Sequence, residues 1–155
     1  SIKGGDTKVI DGFNGALQLE KLNKRYFNLL TKYCSNFEFK GKKNIHLKSR
    51  FPMIALSPDR ELTAIHFNNR SIGPITDVPY KDMLDYYKAY RKFSKIIDDS
   101  RLAIKFKLKP GDCFILDNTR VLHARTAYHK NGNRWLQGCY TDKDELLSKI
   151  SAKVL

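Results

Sequence analysis

Gly111-Asp112-Cys113-Phe114-Ile115-Leu116-Asp117-Asn118-Thr119-Arg120-Val121-Leu122-His123-Ala124-Arg125 is the stretch from which the rest of the chain is read. Lys109-Pro110-Gly111-Asp112 has turn chemistry, and residues 113–116 form a short apolar run. Residues 120–128 read as a strand, and alternation places His123 and Arg125 on one of its faces. His129-Lys130-Asn131-Gly132-Asn133 reads as a hairpin turn, and residues 134–140 as the returning strand. On that strand Arg134, Leu136, Gly138 and Tyr140 share a parity, so a histidine, two arginines and a tyrosine can converge. An imidazole binds metal, and a guanidinium grips a carboxylate in a bidentate fork. A strand histidine is also commonly an ordinary core or surface residue, and these residues alone leave both readings open.

Upstream, residues 7–10 read as a short strand and 11–15 as a turn rich in breakers. Residues 16–34 read as one helix, with Leu19, Leu22, Tyr26, Leu29, Leu30 and Tyr33 at steps of three and four. A strand is expected at 37–39 and a mobile basic loop at 40–48. Residues 52–56 and 62–67 flank Ser57-Pro58-Asp59-Arg60 as a hairpin. Pro79 opens a second helix, capped by Asp77 or Thr76, whose apolar stripe runs from Met83 to Ile97. Ile104, Phe106 and Leu108 alternate with Lys105, Lys107 and Lys109 as a strand with one wet face. A short helix capped by Asp142 or Thr141 closes the chain at about residue 150. The class is α+β around antiparallel strands, with two helices between strands and a short C-terminal helix.

The 155 residues suit one domain, and 41% hydrophobic with 12% aromatic residues exclude wholesale disorder. No apolar stretch approaches the roughly 20 residues of a membrane helix. Lys plus Arg is 29 against 16 Asp plus Glu, a net charge of +13. That excess attracts anions, but the charges are dispersed, which argues against a basic, non-catalytic nucleic-acid-binding module. Cys34, Cys113 and Cys139 are odd in number and lack metal-type spacing, which favours free thiols in a reducing compartment, the cytoplasm.

The block from Gly111-Asp112 through His123-Ala124-Arg125, followed by Arg134-Trp135-Leu136-Gln137-Gly138-Cys139-Tyr140, resembles the γ-butyrobetaine dioxygenase family. That family belongs to the taurine-dioxygenase-like Fe(II)/2-oxoglutarate oxygenases. Phe67-Asn68-Asn69-Arg70 is similar to its substrate-loop motif, and Gly4-Gly5-Asp6-Thr7 to its glycine-rich strand start. The resemblance implies a distorted double-stranded β-helix, or jelly roll, here incomplete. It implies that His123 is an iron ligand, that Arg134 and Thr7 hold 2-oxoglutarate, and that Asn68 and Tyr140 contact the substrate. Ascorbate would serve as reductant. The implied reaction is hydroxylation of a trimethylammonium compound, first γ-butyrobetaine to L-carnitine, with trimethyllysine as the alternative substrate. A neutral imidazole suits ferrous iron, and an aromatic face suits a cation that cannot donate a hydrogen bond. Arg125 receives no role.

One departure is plain. The family's iron site also needs a His-x-Asp pair, and His46, His66 and His129 are not followed by Asp two residues on. Residues 1–155 are therefore expected to be the C-terminal portion of an oxygenase catalytic domain, inactive in isolation, with self-association open. The start Ser1-Ile2-Lys3-Gly4-Gly5 reads like the inside of a longer protein.

Overall fold

The computed structural model describes residues 4–42, 44–127 and 135–154. Strand β1 (Thr7–Asp11) runs directly into helix α1 (Gly12–Leu22). Asp11 is extended, and its carboxylate accepts from the amides of Phe13 and Asn14 at 3.0 and 3.3 Å, satisfying two open donors of the helix. Residues 11–15 are thus a helix start and not the expected turn. Gly12 is there for close approach: a Cβ would lie 2.7 Å from the Arg120 carbonyl oxygen, which accepts from the Gly12 N–H at 2.9 Å.

The single helix expected over 16–34 is two, α1 and α2 (Lys24–Lys32), broken at Asn23. Asn23 is extended (φ −159°, ψ 95°); its N–H donates to the Leu19 carbonyl at 2.8 Å while its side chain accepts from the Tyr26 amide at 3.0 Å. One residue therefore closes one helix and opens the next. The apolar stripe continues across the break, so periodicity alone does not register it. Three helices, not two, precede the last strands.

β2 (Cys34–Lys40) and β3 (His46–Pro52) pair antiparallel along their full lengths, with Cys34 opposite Pro52 and Lys40 opposite His46. The basic loop expected at 40–48 shrinks to the tip between them. β3 is almost wholly exposed, so burial did not print the usual alternation on its sequence. β4 (Ile54–Leu56) and β5 (Leu62–Ile65) form the expected hairpin. Helix α3 (Tyr80–Ile97) stands where its stripe predicts, but Pro79 occupies the N-cap position and no side chain caps it. Asp77 is occupied elsewhere, held by Arg50 and by the Thr76 hydroxyl at 3.0 Å.

Beyond a 3₁₀ turn at Ser100–Leu102 come β6 (Ala103–Phe106), β7 (Val121–Arg125) and helix α4 (Lys143–Val154). β6 and β7 flank β1 antiparallel, in the order β6-β1-β7. The returning strand expected over 134–140 is not formed over 135–140, which run irregular and exposed, with Trp135 87% exposed.

The core lies between positions 10 and 97: α1, α2 and α3 pack on one another, with β4 against α2 and β5 against α1, and Leu19, Leu30, Met53, Ile54, Tyr86 and Phe93 are fully buried. Ser35 Oγ and Tyr86 OH, both buried, share a 2.8 Å hydrogen bond inside it. The observed class is α+β with small antiparallel sheets, as expected. Among the described residues no helix is long and apolar enough to cross a membrane.

Candidate functional site

The three-stranded sheet has two unlike faces. Ile10 is buried, its partner Leu122 on β7 packs against the core, and Lys8 donates to the Asp98 carbonyl at the end of α3 at 3.2 Å. That face is therefore turned to the helices. Directly paired antiparallel residues share a side, so the other face is set by register. On it, Thr7 stands opposite Arg125 and Phe106, and Val9 opposite His123 and Ile104. Thr7 and His123 are diagonal neighbours, which in an antiparallel ladder means about 7–8 Å between them. Thr7 is only 6% exposed, whereas His123 is open to solvent. Phe114, from the apolar run, stands edge-on to Phe106 with ring centroids 5.7 Å apart.

Backbone bonds extend the β1–β7 pairing towards the chain's start: Thr126 N–H donates to the Asp6 carbonyl at 3.0 Å, and Gly5 N–H to the Ala127 carbonyl at 3.1 Å. Gly4 and Gly5 take φ of 81° and 77°, left-handed values that a side chain would oppose.

The entry to β7 is fixed by polar residues to which the sequence reading gave no role. Asp117 Oδ1 accepts from the Thr119 amide at 3.0 Å and its hydroxyl at 2.6 Å, and Oδ2 pairs with Lys143 Nζ at 2.7 Å. The Lys143 hydrogen bond, then Thr119, hold the Asp117 carboxyl down to about 2. Arg120 grips Asp11 with Nη2 at 2.6 Å and Nε at 3.2 Å, which depresses the Asp11 pKa below its ordinary value despite partial burial. Ile65 N–H donates to the Thr119 carbonyl at 2.8 Å, so this turn links β5, α1, α4 and β7. Two signals for it stand in the sequence: the Asp-Asn-Thr turn type, and an aspartate immediately before a helix.

The remaining candidates are placed separately. Asn68 lies in the exposed turn after β5, where its Oδ1 accepts from the Arg70 amide at 2.8 Å. Its neighbour Asn69 accepts from the Tyr90 hydroxyl at 2.9 Å, and Phe67 stacks on Tyr90. Tyr140 lies in the irregular segment, 86% exposed, with no aromatic ring beside it among the described residues. Arg134 lies outside the described residues, as does the expected hairpin turn before it. Cys34, Cys113 and Cys139 are free thiols. Among the described residues no three of His, Cys, Asp and Glu gather as a metal site. One open imidazole does not make an iron centre, because affinity rests on several preorganised ligands.

The family described as "Taurine catabolism dioxygenase TauD, TfdA family" matches residues 1–140. The gamma-butyrobetaine dioxygenase of Homo sapiens is 30% identical over 154 residues, covering 97% of this chain and 40% of that protein. The gamma-butyrobetaine dioxygenase of Pseudomonas sp. (strain AK-1) is 36% identical over 148 residues, 95% of this chain and 38% of that protein. The mitochondrial trimethyllysine dioxygenase of Mus musculus is 33% identical over 149 residues, 94% of this chain and 35% of that protein. The chain thus spans about two-fifths of the length of the curated relatives it matches. With the Thr7–His123 sheet face in place and the match running from residue 1 to residue 140, the chain belongs to the TauD, TfdA dioxygenase family.

Proposed function

We propose that this chain is the C-terminal portion of the catalytic domain of an Fe(II)- and 2-oxoglutarate-dependent oxygenase. Its substrate carries a trimethylammonium group, and γ-butyrobetaine, hydroxylated to L-carnitine, is the first choice. The observation that carries the reading is the shared sheet face of Thr7 and His123, within a chain that belongs to a dioxygenase family.

In this reading the chain's own work is binding and positioning. His123 supplies one imidazole for iron, and the other ligands come from residues outside these 155. Arg134 offers a permanent cation to the far carboxylate of 2-oxoglutarate, and Thr7 a hydroxyl that helps hold the same cosubstrate. Asn68 and Tyr140 receive the substrate, Tyr140 by presenting an aromatic face to the quaternary ammonium. β1, β6 and β7 would be part of a distorted double-stranded β-helix. Three free thiols suit the cytoplasm. Trimethyllysine is the second substrate, supported by the relatives of that name at similar identity.

Substrate-dependent succinate release tests the proposal, with γ-butyrobetaine and trimethyllysine assayed in parallel. The 155-residue chain alone is expected to be inactive. A longer protein that contains it is expected to turn over and to lose activity with His123→Ala. Turnover by the isolated chain, or full activity without the imidazole, refutes the assignment.

A further inference from the structure

Lys88, Arg91, Lys92 and Lys95 lie within two turns on the exposed side of α3. Together with Tyr26 of α2 they line a groove of about 240 Å³. Their spacing of three, four and seven makes them neighbours on one helix face, and like charges at that spacing destabilise a helix. Asp85 reaches only Lys88, at 3.4 Å, and is already taken by Arg25 at 3.0 Å. Arg91, Lys92 and Lys95 pair with no carboxylate among the described residues. Some cations elsewhere are matched by carboxylates, as in Arg101–Asp99, Arg120–Asp11 and Lys143–Asp117; what sets this group apart is its clustering on one helix face.

The negative end of the helix dipole accounts for Lys95, in the last turn, but its reach does not extend to Lys88, Arg91 and Lys92. The Tyr26 hydroxyl adds an open donor, since it makes no hydrogen bond among the described residues. From Lys88 to Lys95 the groove runs about 10 Å along the helix axis, a length that accommodates several linked phosphoryl groups.

We propose that the α2–α3 groove binds a run of phosphoryl groups, borne by an inorganic oligophosphate or a nucleoside triphosphate. Arg91 would offer its planar fork to one phosphate, the lysines would act as point charges along the chain, and the Tyr26 hydroxyl would donate to one oxygen. The site shares no residue with the sheet face of the proposed oxygenase.

Because the whole chain is strongly basic, the test must separate this groove from diffuse attraction. Inorganic triphosphate and ATP are titrated calorimetrically into three proteins at about 0.15 M salt, where distant charges are screened. The proteins are the unmodified chain, Arg91→Gln/Lys92→Gln, and the control Lys42→Gln/Lys109→Gln, which removes the same charge from exposed positions outside the groove. Glutamine is a comparable helix former, so α3 is retained. Submillimolar binding is expected for the unmodified chain and the control, and binding roughly tenfold weaker for the groove variant. Equal affinity for triphosphate and ATP assigns recognition to the phosphates, and tighter ATP adds the nucleoside. Equal weakening in both variants, or no submillimolar binding by the unmodified chain, overturns the proposal.

Discussion

Asp11 has two jobs that can be separated by two substitutions. Its carboxylate caps α1 through the Phe13 and Asn14 amides, and it pairs with Arg120 at the entry to β7. Asparagine keeps the cap, since it ranks with aspartate at that position, but loses the ion pair. Alanine loses both. The cap is worth about 1 kcal/mol. The Arg120 and Asp11 side chains are 53% and 38% exposed, so solvent screens the pair and it contributes only about 0.2–1 kcal/mol. Asp11→Asn should therefore cost about 0.5 kcal/mol and Asp11→Ala about 1.5 kcal/mol. Arg120→Gln should destabilise the native background slightly and change close to nothing once Asp11→Asn is present.

The pH dependence has a definite sign. The Asp11 pKa is depressed in the folded chain from an ordinary value of 3.8. Its contribution is therefore complete well above that value and is lost as pH falls through the lower folded value. The gap between the native chain and Asp11→Asn should close over that range. Urea unfolding followed by far-UV circular dichroism, at neutral pH and at steps downward, measures all four quantities. Asp11→Asn as damaging as Asp11→Ala, or an undiminished Arg120→Gln penalty beside Asp11→Asn, would refute the division of labour.

Two further outcomes follow from packing. Gly12→Ala gains up to about 1 kcal/mol of helix propensity but drives a Cβ into the Arg120 carbonyl and the Ile65 side chain, and overpacking of that kind costs about 1–3 kcal/mol. With the 2.9 Å Gly12–Arg120 bond disturbed as well, the balance should be a net loss of about 1–2 kcal/mol, or about 2–8 °C in Tm; a raised Tm would contradict it. Ser35→Ala and Tyr86→Phe each leave a buried hydroxyl unpartnered and should each cost about 1–3 kcal/mol, yet the double variant should cost clearly less than their sum. Strict additivity in that cycle would mean that the buried pair is not coupled.

What the sequence made legible was local and periodic. α3 was readable because its apolar stripe is long, and β4–β5 because Ser57-Pro58-Asp59-Arg60 punctuates it. Where one residue type serves two purposes, pattern misleads. Gly12 has the composition of a turn but sits in a helix because a carbonyl comes too close for any side chain. β3 reads as loop because a solvent-facing ribbon needs no apolar face. The site divides the same way. Alternation placed His123 and Arg125 together, but pairing with Thr7 depends on register between strands more than a hundred residues apart, which no local pattern encodes. The polar clamp of Asp11, Asp117, Arg120 and Lys143 escaped notice because each member looks like an ordinary surface charge until the turns fold.

Asn23 closes α1 and opens α2 with no residue to spare. Such an elbow tolerates a change of residue better than a change of length. A single insertion there would turn α2 about its axis by about 100°, and Phe27, Leu29 and Leu30 would swing away from the interior they fill. Homologous chains should therefore vary in spelling at this joint while keeping its count.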